Sequence, residues 1–176
     1  MLVLDMQVMK KYLDHGYKIA QPLVAPLLNY ALGWFSPELL GSGFVIKSID
    51  DHAVVGSIPY SKFNCNNRSE IHAGLVVNSG FELIQCLLAR HLGHTHFAIE
   101  SFETTLKKSS RWDNSLLLKI ELNEVVFDRF FMDLQKDTTT PLQCDVTIQK
   151  KSAKPGFKSK DIIKFNLTVR SKKLIA

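Results

Sequence analysis

From Leu75 to Leu92 the chain reads Leu-Val-Val-Asn-Ser-Gly-Phe-Glu-Leu-Ile-Gln-Cys-Leu-Leu-Ala-Arg-His-Leu, a helix-length segment that is apolar on nearly every side. Such a helix cannot lie in water, so the remaining chain must supply a concave partner that wraps it. Its few polar residues, Asn78, Glu82 and Gln85, are spaced by four and three and fall on one stripe. Gly93 suits the left-handed position that ends helices, and His91 favours the negative end, so the helix is expected to stop near Leu92. Immediately before it stands a polar run, Asn-Cys-Asn-Asn-Arg-Ser-Glu-Ile-His-Ala-Gly, from Asn64 to Gly74. A helix start carries unpaired backbone N–H groups and a partial positive charge, and a glycine there lets a carbonyl oxygen approach closely. Gly74 supplies that approach for a carbonyl oxygen.

The chain has 176 residues with 45% hydrophobic content, enough to bury a core in one domain without staples. Three cysteines, Cys65, Cys86 and Cys144, are an odd number at wide spacings, which argues against a disulfide framework and for a reducing, cytoplasmic setting. No segment approaches the ~20 apolar residues of a membrane-spanning helix, and no basic region followed by an apolar run marks a secretion signal. The net charge of +5 is uneven, with Lys150, Lys151, Lys154, Lys158, Lys160 and Lys164 all late in the chain. Nucleic acid, a phosphate-bearing ligand such as coenzyme A, and a merely solvated positive face all fit such a surface.

Periodicity orders the rest. Leu4 to Tyr17 and Pro22 to Leu32 read as helices, and residues 1–26 are taken as an N-terminal helical extension to a domain over 27–176. Gly43 to Ile49 and His52 to Tyr60 read as a hairpin joined at Asp50-Asp51, with Pro59 closing the second strand. Phe97 to Lys107 is a strand, and alternation follows at Leu116, Leu118, Ile120 and Leu122, at Cys144, Val146 and Ile148, and at Ile163, Phe165, Leu167 and Val169. Val126, Phe127, Phe130, Phe131 and Leu134 instead fit a helical stripe, so Glu124 to Gln135 is an inserted helix. Lys-Asp-Thr-Thr-Thr-Pro and Lys-Ser-Ala-Lys-Pro-Gly read as loops. The expected class is α+β, with a curved antiparallel sheet around one long apolar helix.

This order, with Asn66, the Ile-His-Ala-Gly segment at Ile71 to Gly74 and a carboxylate on the helix, resembles the hotdog-fold acyl-CoA thioesterase superfamily. The likeness is greatest to thioesterases of the phenylacetate-pathway type and to thioesterase-like domains attached to acetyltransferases, and it covers roughly Leu27 to the C-terminus. In that superfamily a loop asparagine lies six residues before the histidine, as Asn66 does before His72. The resemblance implies that Gly74, or Ala73 if the helix starts earlier, donates a backbone N–H to the thioester carbonyl. It also implies an acid nine residues after the histidine, acting as nucleophile or general base. That position is Phe81, and Glu82 stands one place later, about 100° around the helix. Either a local bulge near Gly80 or the longer glutamate brings Glu82 into place, or Asn78 positions a water without a base.

The expected catalytic set is therefore Glu82, Asn78, Asn66, His72 and Gly74. The resemblance implies an acyl-CoA or acyl-carrier-protein substrate, no cofactor, no nucleic acid, and a homodimer or dimer of dimers with sites at the interface. Lys107, Lys108 and Arg111 would form a basic rim for the nucleotide of coenzyme A. The competing reading is a non-catalytic module that binds an acyl thioester or serves assembly, with a dehydratase as a weaker third. His72 could instead cap the loop, Glu82 could pair with a base across a subunit boundary, and Cys86 belongs to the core. The His91, His94 and His96 group lacks the cysteine or carboxylate that would close a zinc site, so no metal is expected.

Overall fold

Alternating burial makes the sheet. The computed structural model describes residues 39, 41–92, 97–136, 139–151 and 161–171. Its strands are β1 (Val45–Ile49), β2 (Ala53–Ile58), β3 (Phe97–Lys107), β4 (Leu116–Glu121), β5 (Thr139–Lys150) and β6 (Asp161–Ser171), and its helices are α1 (Ala73–Leu92) and α2 (Glu124–Lys136). In β5 the residues Thr140, Leu142, Cys144, Val146 and Ile148 point inward, while each intervening residue is exposed. Every neighbouring pair is antiparallel, in the order β1-β2-β4-β5-β6-β3. Helix α1 touches β1 and β3, the two opposite edges, as well as β2 and β4 between them. A sheet whose two edges both reach one helix has to curve around it, which is the hotdog architecture.

The packing explains the apolar character of α1. Val76, Leu83, Ile84, Leu87 and Leu88 are fully buried, together with the inward residues of β2, β4, β5 and β6. Gly80 lets the helix come down on β6, because a Cβ there would stand 3.2 Å from the Ile163 side chain and 3.3 Å from the Phe165 ring. Phe81, next to it, stacks at 4.7 Å on Phe102 of β3. At the far end Arg90 and His91 tie α1 to the β1–β2 turn, through a 2.8 Å ion pair with Asp51 and a 2.6 Å contact from His91 Nε2 to the Asp51 carbonyl.

Helix α2 is where the helical stripe placed it. Asn123 caps it by accepting from the Val125 N–H at 2.9 Å. Phe127, Phe130 and Leu134 are buried, and the helix lies on β5 and β6 with Phe127 edge-on to His91 at 4.6 Å.

One expectation is corrected. Lys-Asp-Thr-Thr-Thr-Pro reads as a loop, yet Thr139, Thr140 and Pro141 belong to β5 and pair with Arg170, Val169 and Thr168. The reason is local: on β5, β4 pairs only with Val146–Lys150, so among the described residues the first half of β5 has one ladder neighbour and a proline there leaves no partner unsatisfied on its other side. The N-terminal helices, residues 1–26, and most of Lys-Ser-Ala-Lys-Pro-Gly lie outside the described residues.

Candidate functional site at the mouth of the central helix

The segment from Asn64 to His72 is a closed loop with its own framework. Cys65 and Ile71 form a β-bridge, the Asn66 N–H donates to the Glu70 carbonyl at 2.8 Å, and Ser69 takes the left-handed conformation at φ 57°. Asn66 Oδ1 accepts from the N–H groups of Arg68 at 2.9 Å and Glu70 at 3.2 Å. That oxygen therefore turns into the loop and holds its curve.

Asn64 is a residue that sequence spacing did not single out. It is buried, its amide donates to the carbonyls of Ser42 at 2.7 Å and Pro59 at 2.8 Å, and its own carbonyl accepts from the His72 N–H at 2.8 Å. It thereby pins the start of α1 to the end of β2. Three asparagines and a cysteine in one polar run give no hint which one is buried. The only available signal was position, since Asn64 and His72 flank the Cys65–Ile71 bridge.

His72 is the N-cap of α1. Its carbonyl accepts from the Val76 N–H at 3.2 Å, and its Nδ1 accepts from the Gly74 N–H at 3.1 Å, which leaves the ring proton on Nε2. His72, Ala73, Gly74 and Asn78 are all exposed, so the positive end of a helix whose body is buried opens at the surface. A side chain at Gly74 would meet the His72 ring at 3.2 Å.

Glu82 occupies a different environment. It is 6% exposed, and the Cys86 thiol lies 4.0 Å from its Oε1. Burial, and after it the Glu82 charge, raise the Cys86 pKa far above the ordinary thiol range, which removes Cys86 as a nucleophile. The Cys144 thiol, also buried, is pushed up to about 12. Eight residues of helix separate Gly74 from Glu82, roughly 12 Å along the axis. Within one chain the two do not meet at a single carbonyl. Phe81, where the resemblance expects an acid, faces the aromatic rings of Phe102 and Phe165.

The predicted rim lies beside the loop. The Ile71 N–H donates to the Trp112 carbonyl at 2.9 Å, so the β3–β4 connection abuts the residue before His72. On that connection Lys108 and Arg111 both pair with Glu70, Arg111 at 3.2 Å. Lys108, foremost among these cations, holds the Glu70 carboxyl below the ordinary carboxylate range. Lys107 is exposed at the end of β3. Across the connection Asp161 accepts from Ser109 N–H, Ser109 Oγ, Ser110 Oγ and Trp112 Nε1 at 2.5–2.9 Å. Of the late lysines, Lys150 pairs with Asp113 at 2.8 Å and Lys164 is exposed on β6.

Among the described residues no cluster of three or more His, Cys, Asp or Glu could hold a metal ion, and no helix is long and apolar enough to cross a membrane. A shallow depression of about 410 Å³ between β4 and β5 is lined by Lys119, Glu121, Asn123, Asp145 and Thr147, none of them at the helix mouth.

No family model matches the chain, and no curated protein sequence matches it. Solved structures do. A Pseudomonas aeruginosa protein of unknown function, described as a "probable thioesterase", is similar with a TM-score of 0.69 at 13% identity, over 84% of this chain and 95% of that one. A Chlorobaculum tepidum protein of unknown function gives a TM-score of 0.69 at 13% identity over 85% and 95%. A Haemophilus influenzae thioesterase gives 0.58 at 10% identity over 84% and 90%. At such identities the likeness establishes the fold, a hotdog shared with proteins that include thioesterases.

Proposed function

We propose that this chain hydrolyses an acyl-CoA or acyl-carrier-protein thioester. The observation that carries the reading is the exposed N-terminus of α1 at His72–Gly74, set in a hotdog fold beside a cationic connection. The thioester carbonyl would lie against the first amides of α1, which take the negative charge as it develops on oxygen. Water attacks the carbonyl carbon, Glu82 accepts its proton, the C–S bond breaks, and the departing thiolate is protonated to the free thiol. Because Gly74 and Glu82 are roughly 12 Å apart on one helix, the reading requires a two-fold pairing that sets the Glu82 of one subunit near the Gly74 of the other. His72 then places the glycine, and Asn66 keeps the loop closed.

A second reading has its own support. Phe81 at the expected acid position, and a Gly74 N–H already bonded to His72, favour a module that binds an acyl thioester without cleaving it.

A panel of acyl-CoA substrates with detection of the free thiol decides between them. Glu82→Gln should lower kcat by at least ~100-fold with KM nearly kept, since the amide preserves shape and loses the base. Gly74→Val should harm KM as well as kcat, because its side chain displaces the His72 ring and blocks the helix mouth. Full activity in Glu82→Gln would move the role to a water held by Asn78. Absence of hydrolysis by the wild type on every thioester would leave the binding module.

A further inference from the structure

The predicted phosphate rim is already occupied, by the protein itself. Glu70 is largely buried, its side chain 12% exposed, and its two carboxylate oxygens are divided between two cations, Oε2 to Lys108 and Oε1 to Arg111. Both cations are held from elsewhere. Lys108 Nζ sits 4.8 Å over the Trp112 ring, whose Nε1–H donates to Asp161 at 2.9 Å, and Arg111 Nη2 donates to the Arg68 carbonyl at 3.1 Å. The backbone of Glu70 is fixed too, by its N–H on Asn66 Oδ1 at 3.2 Å and its carbonyl under the Asn66 N–H at 2.8 Å. The Glu70 side chain is the least exposed of the three, with Lys108 34% and Arg111 65% exposed. Two cations that face solvent and share one carboxylate between them have the layout of a phosphate site filled by an internal substitute.

We propose that Lys108 and Arg111 form a phosphate-binding pair and that Glu70 is its resident competitor, displaced when a phosphorylated ligand binds. The proposal rests on the thioester reading for the class of ligand, a phosphate ester on the thiol carrier. Occupancy by Glu70 lowers the apparent affinity for any phosphate to the intrinsic affinity multiplied by the fraction of molecules in which the pair is open. It also sets a threshold: simple anions that cannot outcompete a tethered carboxylate are kept out, and a ligand with additional contacts is not. Lys107 and Arg68, exposed on either side, add attraction without being blocked in this way.

Calorimetric titration of the full chain tests this with two probes, adenosine 3′,5′-bisphosphate for the coenzyme A nucleotide and 4′-phosphopantetheine for the carrier-protein arm. Glu70→Gln should tighten at least one of them about tenfold at low salt, and Arg111→Ala should weaken the same probe by a similar factor. In an Arg111→Ala background the gain from Glu70→Gln should shrink, since the blocked pair no longer exists. Whichever probe responds identifies the carrier. Should Glu70→Gln destabilise the loop in a melting scan, Glu70→Asp, which is too short to reach both cations, should give part of the same gain. Equal or weaker binding in Glu70→Gln, or no binding of either probe to any variant, overturns the proposal even if thioesters are hydrolysed. Tightening with no hydrolysis of any thioester sustains it and refutes the catalytic reading instead.

Discussion

Asp161 is a buried carboxylate that accepts four hydrogen bonds, and its chemistry fixes a direction for stability against pH. Burial alone would raise its pKa, but the donors of Ser109, Ser110 and Trp112 outweigh burial and hold the carboxyl below the ordinary carboxylate range. A carboxyl with a depressed folded pKa contributes stability that is complete above its unfolded pKa, near ~4, and is lost as pH falls through the folded value. Stability should therefore drop below about pH 4, a limb that Asp51, Glu70 and Asp113 share because their pKa values are lowered as well. Asp161→Asn should cost on the order of 2–4 kcal/mol at neutral pH and make the acid limb shallower, as read by denaturant unfolding from pH 3 to 7. An unchanged limb would show that the carboxylate is not the titrating group. At this scale the sequence was partly legible. Spacing pointed to His72 and Gly74 as the helix entry, since a cap and a glycine are local requirements. It could not separate Asn64 from Asn66, because which oxygen turns inward depends on the Ser42 and Pro59 carbonyls, brought there only by the tertiary fold. Glu70 escaped notice for the same reason: its partners are about forty residues away.

Elements were more legible than side chains, because period and capping are properties of short stretches. The inserted helix is evident from Phe127, Phe130 and Leu134. The start of β5 is not, since Thr-Thr-Pro reads as a turn unless one knows that among the described residues no strand pairs with its other side. The contact between α1 and β6 gives the element its sharpest test. At Gly80, alanine gains roughly 1 kcal/mol of helix propensity but places its Cβ 3.2 Å from Ile163, so Gly80→Ala should change stability little. Gly80→Val should destabilise by about 1–3 kcal/mol, because its γ carbons enter space held by Ile163 and Phe165 and the helix must lift. Chemical denaturation measures both, and a valine variant as stable as the parent would show that the helix does not rest on this contact.

For the whole molecule, the open edge of the sheet matters most. Strand β3 is 11 residues long, pairs among the described residues on one side only, with β6, and exposes Glu100 through Thr105, with Phe102 51% exposed. An exposed strand of that length with an aromatic on it is a template for a second copy, so the chain should be a homodimer by light scattering, and Phe102→Asp should raise the monomer fraction. A wild type that remains monomeric at high micromolar concentration would also remove the shared-site mechanism. The same strand has a consequence in time. β3 follows α1 directly in the chain, yet its ladder runs from Lys107 on Ile162 to Phe97 on Ser171, so its neighbour among the described strands lies 55 to 74 residues further on. Pairing over so long a stretch of chain closes late, so refolding should be slow, roughly milliseconds to seconds, with β3 amides protected last in pulse-labelled hydrogen exchange. Protection of β3 ahead of β5 and β6 would mean that another surface shelters it first.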